Sequence, residues 1–519
     1  MVEEKEGGFS IDLNPKLITI PDFKSRTEIN IKYPLIEPYA YAHIFWDEEA
    51  SELIYSLDEP ELDDDESNIL KLVQFGLEEM INISFTHATK LNILIEYLEQ
   101  NVQMILSEIG ARVSQETYNK IMYYVYRDSV GLNLIEPLMH DYFIEDIECN
   151  GKDHPLYIVH RKFENIRTNI IYEDSEKLTN FIEKLAQKSG RYVSYAKPLL
   201  DGTLPDGSRV NGTYSSDITT RGPSFTIRKF TKDPWTPTQL IDFNTCNAET
   251  LAYLWLAIEY KFNVMVIGET ASGKTTFLNT IVQFIPPESR ICSIEDTREL
   301  NLAHDNWLPS VTRAGFGIPN QEGETYGGVS LFDLLRESFR QNPDYVIVGE
   351  IRGKEAYVLF QGMASGHPSF GTFHAGSVES LVRRLETPPI NLPSSLVESL
   401  DIVCVAIHVK TRNQNFRRIK VVDEINKVDA NGEIEHQPVY EWDASEDNMV
   451  PAKPSLVLDK IVKRTGMPIT RVKEEIEIRT KLLQALADKK IFDFKELNKI
   501  INQYYQKPRD IIQKFNIKR

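Results

Sequence analysis

Cysteine is scarce in this chain of 519 residues, which has four cysteines and no C-x-x-C pair. The absence of paired cysteines argues against a zinc ribbon, and such sparse usage is typical of proteins in a reducing compartment. The four residues are far apart in the sequence: Cys149, Cys246, Cys292 and Cys404.

Long apolar runs and excess positive charge are also lacking. No run approaches the roughly 20 residues that span a bilayer, and the acidic start MVEEKEGGFS lacks the chemistry of a signal peptide. We therefore expect a cytoplasmic protein whose membrane role is peripheral or depends on a partner. The formal net charge of -19 repels nucleic acid backbone unless a local basic patch offsets it.

The composition changes along the chain in a way that predicts several domains. Residues 1–64 form an acidic N-terminal segment, interpreted as a solvated surface or flexible arm, or as a docking surface for a basic partner. Helical spacing predicts a helical subdomain over 65–140, and alternating strands predict an α+β domain over 141–230. A turn-rich stretch predicts a linker over 231–245. Short β-branched runs separated by helices predict an α/β domain with a parallel sheet and C-terminal helices over 246–519.

The motif GETASGKT, at positions 268–275, carries the strongest chemical signal. It follows the apolar run NVMVI and precedes a helical segment, which is the context in which G-x-x-x-x-G-K-[ST] binds phosphates. Lys274 supplies a mobile positive charge, Thr275 offers a hydroxyl to Mg²⁺, and the start of the helix favours anions. The alternative is a chance glycine-rich turn. The predicted nucleotide-binding residues are Gly268, Glu269, Thr270, Ala271, Ser272, Gly273, Lys274, Thr275 and Thr276.

Two predicted strands end in carboxylates, at RICSIED and at DYVIVGE. The carboxyl ends of parallel strands face the ligand in α/β sheets. We therefore predict that Glu295 polarises the attacking water and that Glu350 acts on Mg²⁺, with Glu299 a weaker candidate; Asp296 helps to place Mg²⁺ or caps the next turn. Arg352 is interpreted as an ion-pair or interface residue. The predicted metal ligands are Thr275, Glu350 and Asp296.

The stretch ASGHPSFGTFHAGS, at 364–377, contains two of the ten histidines. No cysteine, aspartate or glutamate lies between His367 and His374, so the stretch lacks a third zinc ligand. Two interpretations remain. One or both histidines make local hydrogen bonds, or His374 donates to a γ-phosphate or to Glu350 at a strand end.

The segment GGVSLFDLLRESFRQNPD predicts a further helix between these motifs. Ser330 and Asp333 fit a capping box at its start. Arg336 and Arg340 are four residues apart and share a face, either as solvated surface cations or as part of a site.

Together, GETASGKTT, SIEDTREL, LRESFRQNPDYVIVGEIRGKEA and ASGHPSFGTFHAGS resemble the Walker A motif, Asp box, atypical Walker B motif and His box of the type II/type IV secretion ATPase superfamily. The resemblance covers roughly 190–410 and implies a RecA-like P-loop NTPase core. Members of this superfamily are hexameric cytoplasmic ATPases that drive pilus assembly, protein secretion or filament motion through a polytopic membrane platform protein.

Position by position, the resemblance implies ATP and Mg²⁺ as cofactors. It also implies arginines from the N-terminal domain over the nucleotide, for which Arg209 in LPDGSRVN and Arg228 in FTIRKF are the candidates, with Arg221 behind them. The alternative is that LPDGSR is only a polar hairpin. The implied catalytic residues are Glu295, Glu350, His374, Arg209 and Arg228.

The chain lacks the tetracysteine module of many bacterial members, and its helical N-terminal region and basic C-terminal helices are similar to the archaeal branch. The function that the resemblance implies is a Mg-dependent, hexameric ATPase motor that assembles and rotates an archaellum-type filament. The alternative within the superfamily is archaeal pilus assembly or protein secretion. The expected partners are other copies of the chain, a polytopic membrane platform protein and accessory cytoplasmic motor proteins, with no nucleic acid.

Two functions from other classes are weighed against this one. A DNA-translocating RecA-like motor predicts basic loops, which the acidic balance disfavours. A nucleotide-regulated scaffold predicts missing catalytic acids, whereas Glu295 and Glu350 are present.

Overall fold

The computed structural model describes residues 9–13, 15, 18, 20–21, 23–80, 91–230, 233–313, 315, 326–410, 415–428 and 433–517. It separates into two compact units, Met1–Phe230 and Thr231–Arg519.

The first unit is built on one mixed sheet. Its strands are β1 (Asn30–Ile36), β2 (Ala40–Asp47), β3 (Glu52–Asp58), β4 (Ile144–Cys149), β5 (Pro155–His160), β6 (Glu164–Ile171), β7 (Leu199–Thr203), β8 (Arg209–Thr213) and β9 (Ser224–Arg228). Their order in the sheet is β1-β2-β3-β6-β5-β4-β9-β8-β7. Neighbours are antiparallel except β3 and β6, which are parallel.

Helices pack against this sheet and share its core. They are α1 (Asp64–Met80), α2 (Leu91–Glu108), α3 (Gln115–Val125), α4 (Glu136–His140) and α5 (Ser175–Lys188). Helix α5 shows why the sequence folds this way. Asp174 caps its first turn, and Leu178, Phe181, Ile182 and Leu185 repeat at helical spacing and are buried.

The predicted separation of an acidic N-terminal segment, a helical subdomain and an α+β domain does not describe the first unit. Residues 30–58 form β1–β3, which belong to the same sheet as β4–β9, so this part of the segment is not a flexible arm. Alternating burial along β2 and β3 places their apolar side chains in the shared core, while their acidic residues lie at the strand ends and in the turns.

The second unit contains the parallel sheet. Its strands are β10 (Val264–Gly268), β11 (Ile291–Glu295), β12 (Trp307–Val311), β13 (Tyr345–Ile351), β14 (Ser369–His374), β15 (Ile402–Lys410), β16 (Asn415–Val428), β17 (Ile434–Asp443) and β18 (Asn448–Pro451). Their order is β12-β11-β13-β14-β10-β15-β16-β17-β18. The six strands β10–β15 are parallel to one another. Strands β16, β17 and β18 extend the sheet beyond β15 with antiparallel pairing.

Helices cover this sheet. They are α6 (Pro237–Asp242), α7 (Ala248–Glu259), α8 (Lys274–Ile281), α9 (Leu331–Ser338), α10 (Glu355–Ala364), α11 (Val378–Glu386), α12 (Ser394–Val397), α13 (Leu456–Thr465), α14 (Ile469–Asp488), α15 (Phe494–Gln506) and α16 (Pro508–Lys514). Alternate residues of β10 enter two different apolar clusters, which shows that both faces of the sheet are covered. The predicted α/β fold class with a parallel sheet and a preceding α+β unit is confirmed, and the antiparallel extension β16–β18 was missed.

The predicted linker over 231–245 is mostly part of the second unit, and Thr231 and Lys232 lie outside the described residues. Thr236 and Gln239 form a capping box for α6, with Pro237 in its first turn. Leu240 and Ile241 are buried in the core of the second unit. The residues TPTQ carry this helix signal, because proline is favoured in the first turn of a helix.

The predicted capping box of Ser330 and Asp333 is confirmed at the start of α9. Arg336 and Arg340 are mostly exposed and lie near Asp333 and Glu337 respectively, as solvated surface cations do. No helix among the described residues has the length and apolar character that a membrane crossing requires.

Candidate functional site

The loop after β10 leaves the sheet between two parallel neighbours. Gly268, the last residue of β10, is in register with His374 of β14 on one side and with Ala406 of β15 on the other. Since these strands are parallel, their carboxyl ends share one edge of the sheet. The sequence motif at 268–275 and the second histidine of the 364–377 stretch therefore meet at that edge.

The loop backbone has the geometry of an anion cradle. Gly273 has φ of 87° and Ala271 has φ of 61°, both in the left-handed region that glycine adopts without strain. Helix α8 begins at Lys274, and its N-cap residue Gly273 supplies no side-chain hydrogen bond. The first N–H groups of the helix therefore remain available, and such groups bind phosphate.

Lys274 lies buried at the base of this cradle. Its Nζ donates to the carbonyl oxygen of Glu269 at 2.8 Å and lies 3.3 Å from Nδ1 of His374. Burial lowers the pKa of Lys274, and the charges of Glu350 and Glu299 partly oppose this effect. Two acceptors, the Glu269 carbonyl oxygen and Nδ1 of His374, thus hold the lysine ammonium in place.

His374 links Lys274 to Glu350. Its Nε2 lies 2.8 Å from Oε1 of Glu350, on the neighbouring strand β13. An ammonium can only donate, so Nδ1 accepts from Lys274 and Nε2 carries the proton that faces Glu350. Burial and then the Lys274 charge lower the pKa of His374, against the attraction of Glu350, which favours this neutral form.

Glu350 also pairs with Arg352, whose Nη2 lies 2.5 Å from Oε2. Burial alone raises the pKa of Glu350, but the hydrogen bond and charge of Arg352, with the charges of His374 and Lys274, lower it below its ordinary value. Arg352 also reaches Asp296, with Nη1 and Oδ2 3.7 Å apart. The interpretation of Arg352 as an ion-pair residue agrees with this geometry, and Asp296 is tied to the arginine.

Glu295 is the most buried carboxylate of the site, with 2% of its surface exposed. Its Oε1 accepts hydrogen bonds from the N–H groups of Glu299 and Leu300, at 2.9 and 3.0 Å. Its Oε2 is buried and has no partner among the residues that the structure describes. Burial raises the pKa of Glu295 to about 7, although the two N–H groups oppose the shift.

Gly349 lets Glu295 occupy this position. A Cβ on Gly349 would lie 2.9 Å from Cγ of Glu295, which is too close for a side chain. The glycine of VIVGE therefore makes room for a carboxylate from the adjacent strand β11, a role that spacing alone did not reveal.

His367 lies at the other edge of the sheet. It precedes β14, whereas His374 ends that strand, and six strand residues span roughly 20 Å. The ring of His367 meets Phe339 edge to face, with centroids 5.1 Å apart. The structure does not bring the two histidines together, which agrees with the local, structural interpretation of His367.

The predicted arginines belong to the first unit. Arg209 on β8 and Arg228 on β9 are opposite one another in register. Arg209 pairs with Asp201 at 3.3 Å, and Arg228 pairs with Asp146 at 3.4 Å. The structure therefore brings these two cations together at one edge of the first sheet.

Arg221 lies between β8 and β9, where its backbone carbonyl accepts from the N–H of Lys152. It is exposed and does not share the strand positions of the other two arginines.

Two further arginines contact the site from outside the four motifs. Arg384 of α11 donates to the carbonyl oxygen of His374. Arg417 of β16 donates from Nε to the carbonyl oxygen of Ala271 at 2.9 Å. Both contacts depend on tertiary structure, and no local sequence pattern distinguishes these arginines from other surface cations.

The residues present fit a nucleotide with a divalent cation. The first N–H groups of α8 and the buried ammonium of Lys274 suit phosphates. At the same edge lies Oε2 of Glu295, which has no hydrogen-bond partner among the described residues. No cluster of three or more His, Cys, Asp or Glu side chains suited to a metal occurs in the described part of the chain. Mg²⁺ that is bound together with phosphates needs only one or two protein carboxylates, so this finding is compatible with it.

The family described as type II/IV secretion system protein matches residues 128–433. An uncharacterized protein of Methanocaldococcus jannaschii is 37% identical over 523 residues, covering 94% of this chain and 92% of the relative. The type IV secretion system protein PtlH of Bordetella pertussis is 31% identical over 290 residues, covering 48% of this chain and 83% of its own. The VirB11 ATPase of the Brucella suis type IV secretion system is 24% identical with a TM-score of 0.28, covering 56% of this chain and 95% of that one.

Proposed function

Because this chain belongs to the type II/IV secretion ATPase superfamily, we propose that it is a Mg-dependent ATPase motor that works as a hexamer at the inner face of the cell membrane. The motor hydrolyses ATP to ADP and phosphate and transmits motion to a polytopic membrane platform protein.

One observation carries the proposal. Lys274, His374 and Glu350 form a continuous line of contacts at the carboxyl edge of the sheet, at 3.3 and 2.8 Å. Each comes from a different motif and a different strand or loop. A purely structural ion-pair network does not need a phosphate cradle at one end, and the cradle supports a nucleotide ligand.

Binding of the nucleotide begins with Lys274. Phosphate oxygens are stronger acceptors than the Glu269 carbonyl and the His374 ring, because they are charged. The ammonium therefore turns toward the phosphates, and Nδ1 of His374 loses its donor. The hydrogen bonding of Nδ1 in His374 then depends on whether nucleotide is bound, while its Nε2 still faces Glu350.

Hydrolysis is assigned to Glu295. A carboxylate with a pKa of about 7 can take a proton from water near neutral pH, and its free Oε2 provides the accepting atom. The N–H groups of Glu299 and Leu300 fix Oε1 and so keep the carboxylate oriented.

Mg²⁺ is assigned to Thr275, Glu350 and Asp296. A bound Mg²⁺ ion supplies positive charge against the phosphate oxygens. Arg352 pairs with both Glu350 and Asp296, so it lies beside two of the three residues assigned to the cation.

Arg209 and Arg228 are proposed to add positive charge during hydrolysis, as the resemblance implies. Their register pairing on β8 and β9 supports a joint role. A hinge at the junction of the two units, near Phe230, is proposed to allow the motion.

The proposed biological role is assembly and rotation of an archaellum-type filament, with accessory cytoplasmic motor proteins as further partners. The 37% identity with an archaeal protein over nearly the whole chain supports an archaeal system. A role in archaeal pilus assembly or protein secretion is the second candidate, and similarity to PtlH, a type IV secretion system protein, supports it. Deleting the gene in its native cell and imaging the surface separates them, because loss of swimming filaments supports the first and loss of pili or secreted protein the second.

A steady-state ATPase assay tests the activity. We expect Lys274→Ala to abolish nucleotide binding and hydrolysis, and Lys354→Ala, a change at the start of α10, to leave both unchanged. Adding DNA should not stimulate the wild-type rate. Wild-type hydrolysis by Lys274→Ala, or strong stimulation by DNA, would contradict the proposal.

A further inference from the structure

The antiparallel extension of the second sheet brings an arginine to the phosphate loop. Strand β15 continues past Ala406, the residue opposite Gly268, and β16 returns beside it. Arg417 is opposite His408, two residues beyond Ala406. It therefore lies beyond the end of β10, where the chain enters the loop at 269–273.

Arg417 contacts the two loop residues with left-handed backbone. Its Nε donates to the carbonyl oxygen of Ala271 at 2.9 Å. Its Cδ would lie 3.1 Å from a Cβ on Gly273, so its alkyl chain packs directly against that glycine. Ala271 and Gly273 have φ of 61° and 87°. For Ala271 this conformation is strained, and it persists only when its surroundings hold it.

The backbone of Arg417 is itself firmly held by its neighbour. Arg418 is buried and forms two hydrogen bonds of 2.7 Å with the carboxylate of Asp447. Its Nη1 donates to the carbonyl oxygens of Phe243 and Arg417, both at 3.0 Å. Arg418 thus anchors the strand on one face, while Arg417 projects from the other.

The hydrogen bond to Ala271 is the one polar contact of the Arg417 side chain within the described ranges. No carboxylate of the described residues neutralises it there. An arginine that served only solubility would be expected to extend into solvent. Arg417 instead donates to the carbonyl oxygen of a strained loop residue, which favours a role in holding the loop conformation.

We propose that Arg417 is a positioning residue that holds the turn at Ala271–Gly273 in the conformation that presents its N–H groups to phosphate. The inference rests on the proposed nucleotide-binding function. Preorganisation of a loop lowers the entropic cost of binding, so the effect falls on nucleotide affinity rather than on the chemical step.

Binding of a fluorescent ADP analogue to the full chain tests the inference. Arg417→Ala is expected to raise the Kd roughly 3- to 10-fold, the range for the net loss of one ordinary hydrogen bond. Arg417→Lys keeps a charged donor and should recover part of the affinity. Lys420→Ala removes an exposed cation from the same strand and should bind as the wild type does.

A purely structural role predicts different behaviour, so thermal unfolding without nucleotide and ATPase kinetics are measured in parallel. The inference predicts an unchanged unfolding midpoint and a raised KM with kcat within about twofold of wild type. Equal Kd values for wild type and Arg417→Ala would overturn it, as would equal weakening by Arg417→Ala and Lys420→Ala. Absence of binding by the wild type would instead overturn the proposed function itself.

Discussion

Glu295 should give the second unit a distinctive dependence of stability on pH. Burial raises its pKa from 4.5 to about 7 in the folded protein. Well below pH 4.5 the carboxyl is protonated in both folded and unfolded chains, so its titration does not change the free energy of unfolding. Between 4.5 and 7 the unfolded chain loses its proton first, so the free energy of unfolding falls as pH rises. Above pH 7 the loss is complete and amounts to about 3 kcal/mol.

The variant Glu295→Gln removes this titration and keeps an oxygen that can accept from the N–H groups of Glu299 and Leu300. Its stability relative to wild type should therefore increase by about 3 kcal/mol between about pH 4.5 and pH 8. Any fixed cost of burying the amide shifts the curve without changing its slope. Glu398→Gln alters an exposed carboxylate elsewhere in the second unit, so its stability curve should run parallel to that of the wild type.

Urea unfolding followed by tryptophan emission is a suitable assay, because four of the five tryptophans belong to the second unit. The ATPase rate of the wild type should rise about tenfold between pH 6 and pH 8, with an apparent pKa near 7. If Glu295→Gln and wild type show parallel stability curves across this range, Glu295 is not a buried group with a raised pKa. Its assignment as the base then fails.

Two more predictions concern the same site. His374→Ala should lower ATP hydrolysis by roughly 10- to 100-fold, whereas His367→Ala, at the opposite sheet edge, should keep a rate within about twofold of wild type; equal losses in an ATPase assay would contradict the assignment. Gly349→Ala should reduce stability by about 1–3 kcal/mol and slow hydrolysis, because its Cβ would lie 2.9 Å from Cγ of Glu295. Urea unfolding and ATPase rates measure both effects. Unchanged values would show that β11 and β13 can move apart to fit the methyl group with no loss of stability.

The sequence predicted the second unit well because its signals are local. A glycine-rich loop after an apolar strand, and carboxylates at strand ends, depend on residues close together in the chain. The parallel arrangement then brings the ends of β10, β11, β13 and β14 to one edge without any further information.

The first unit was harder to predict from sequence, because its organisation depends on distant pairing. Strand β3 pairs with β6 across more than 100 residues of chain, so no local pattern shows that 30–58 belongs to the same sheet. The acidic residues between the strands suggested a solvated arm, although alternate apolar positions in β2 and β3 already indicated strands.

The contacts of Arg417 and Gly349 could not be predicted for a related reason. Arg417 contacts Ala271 from 146 positions away in the chain. The contact requires β15 to extend beyond the end of β10, with β16 paired to that extension. Gly349 is needed because a side chain there would collide with Glu295 on the adjacent strand β11. Both effects appear only once the sheet order is known.

The most direct test of the central claim is ATP binding and hydrolysis by Glu350→Gln. The account predicts nucleotide affinity within a few-fold of wild type, because the phosphate cradle and Lys274 remain, and a hydrolysis rate lowered by roughly 10²- to 10⁴-fold. Hydrolysis at the wild-type rate would contradict the claim that Lys274, His374 and Glu350 form one catalytic nucleotide site.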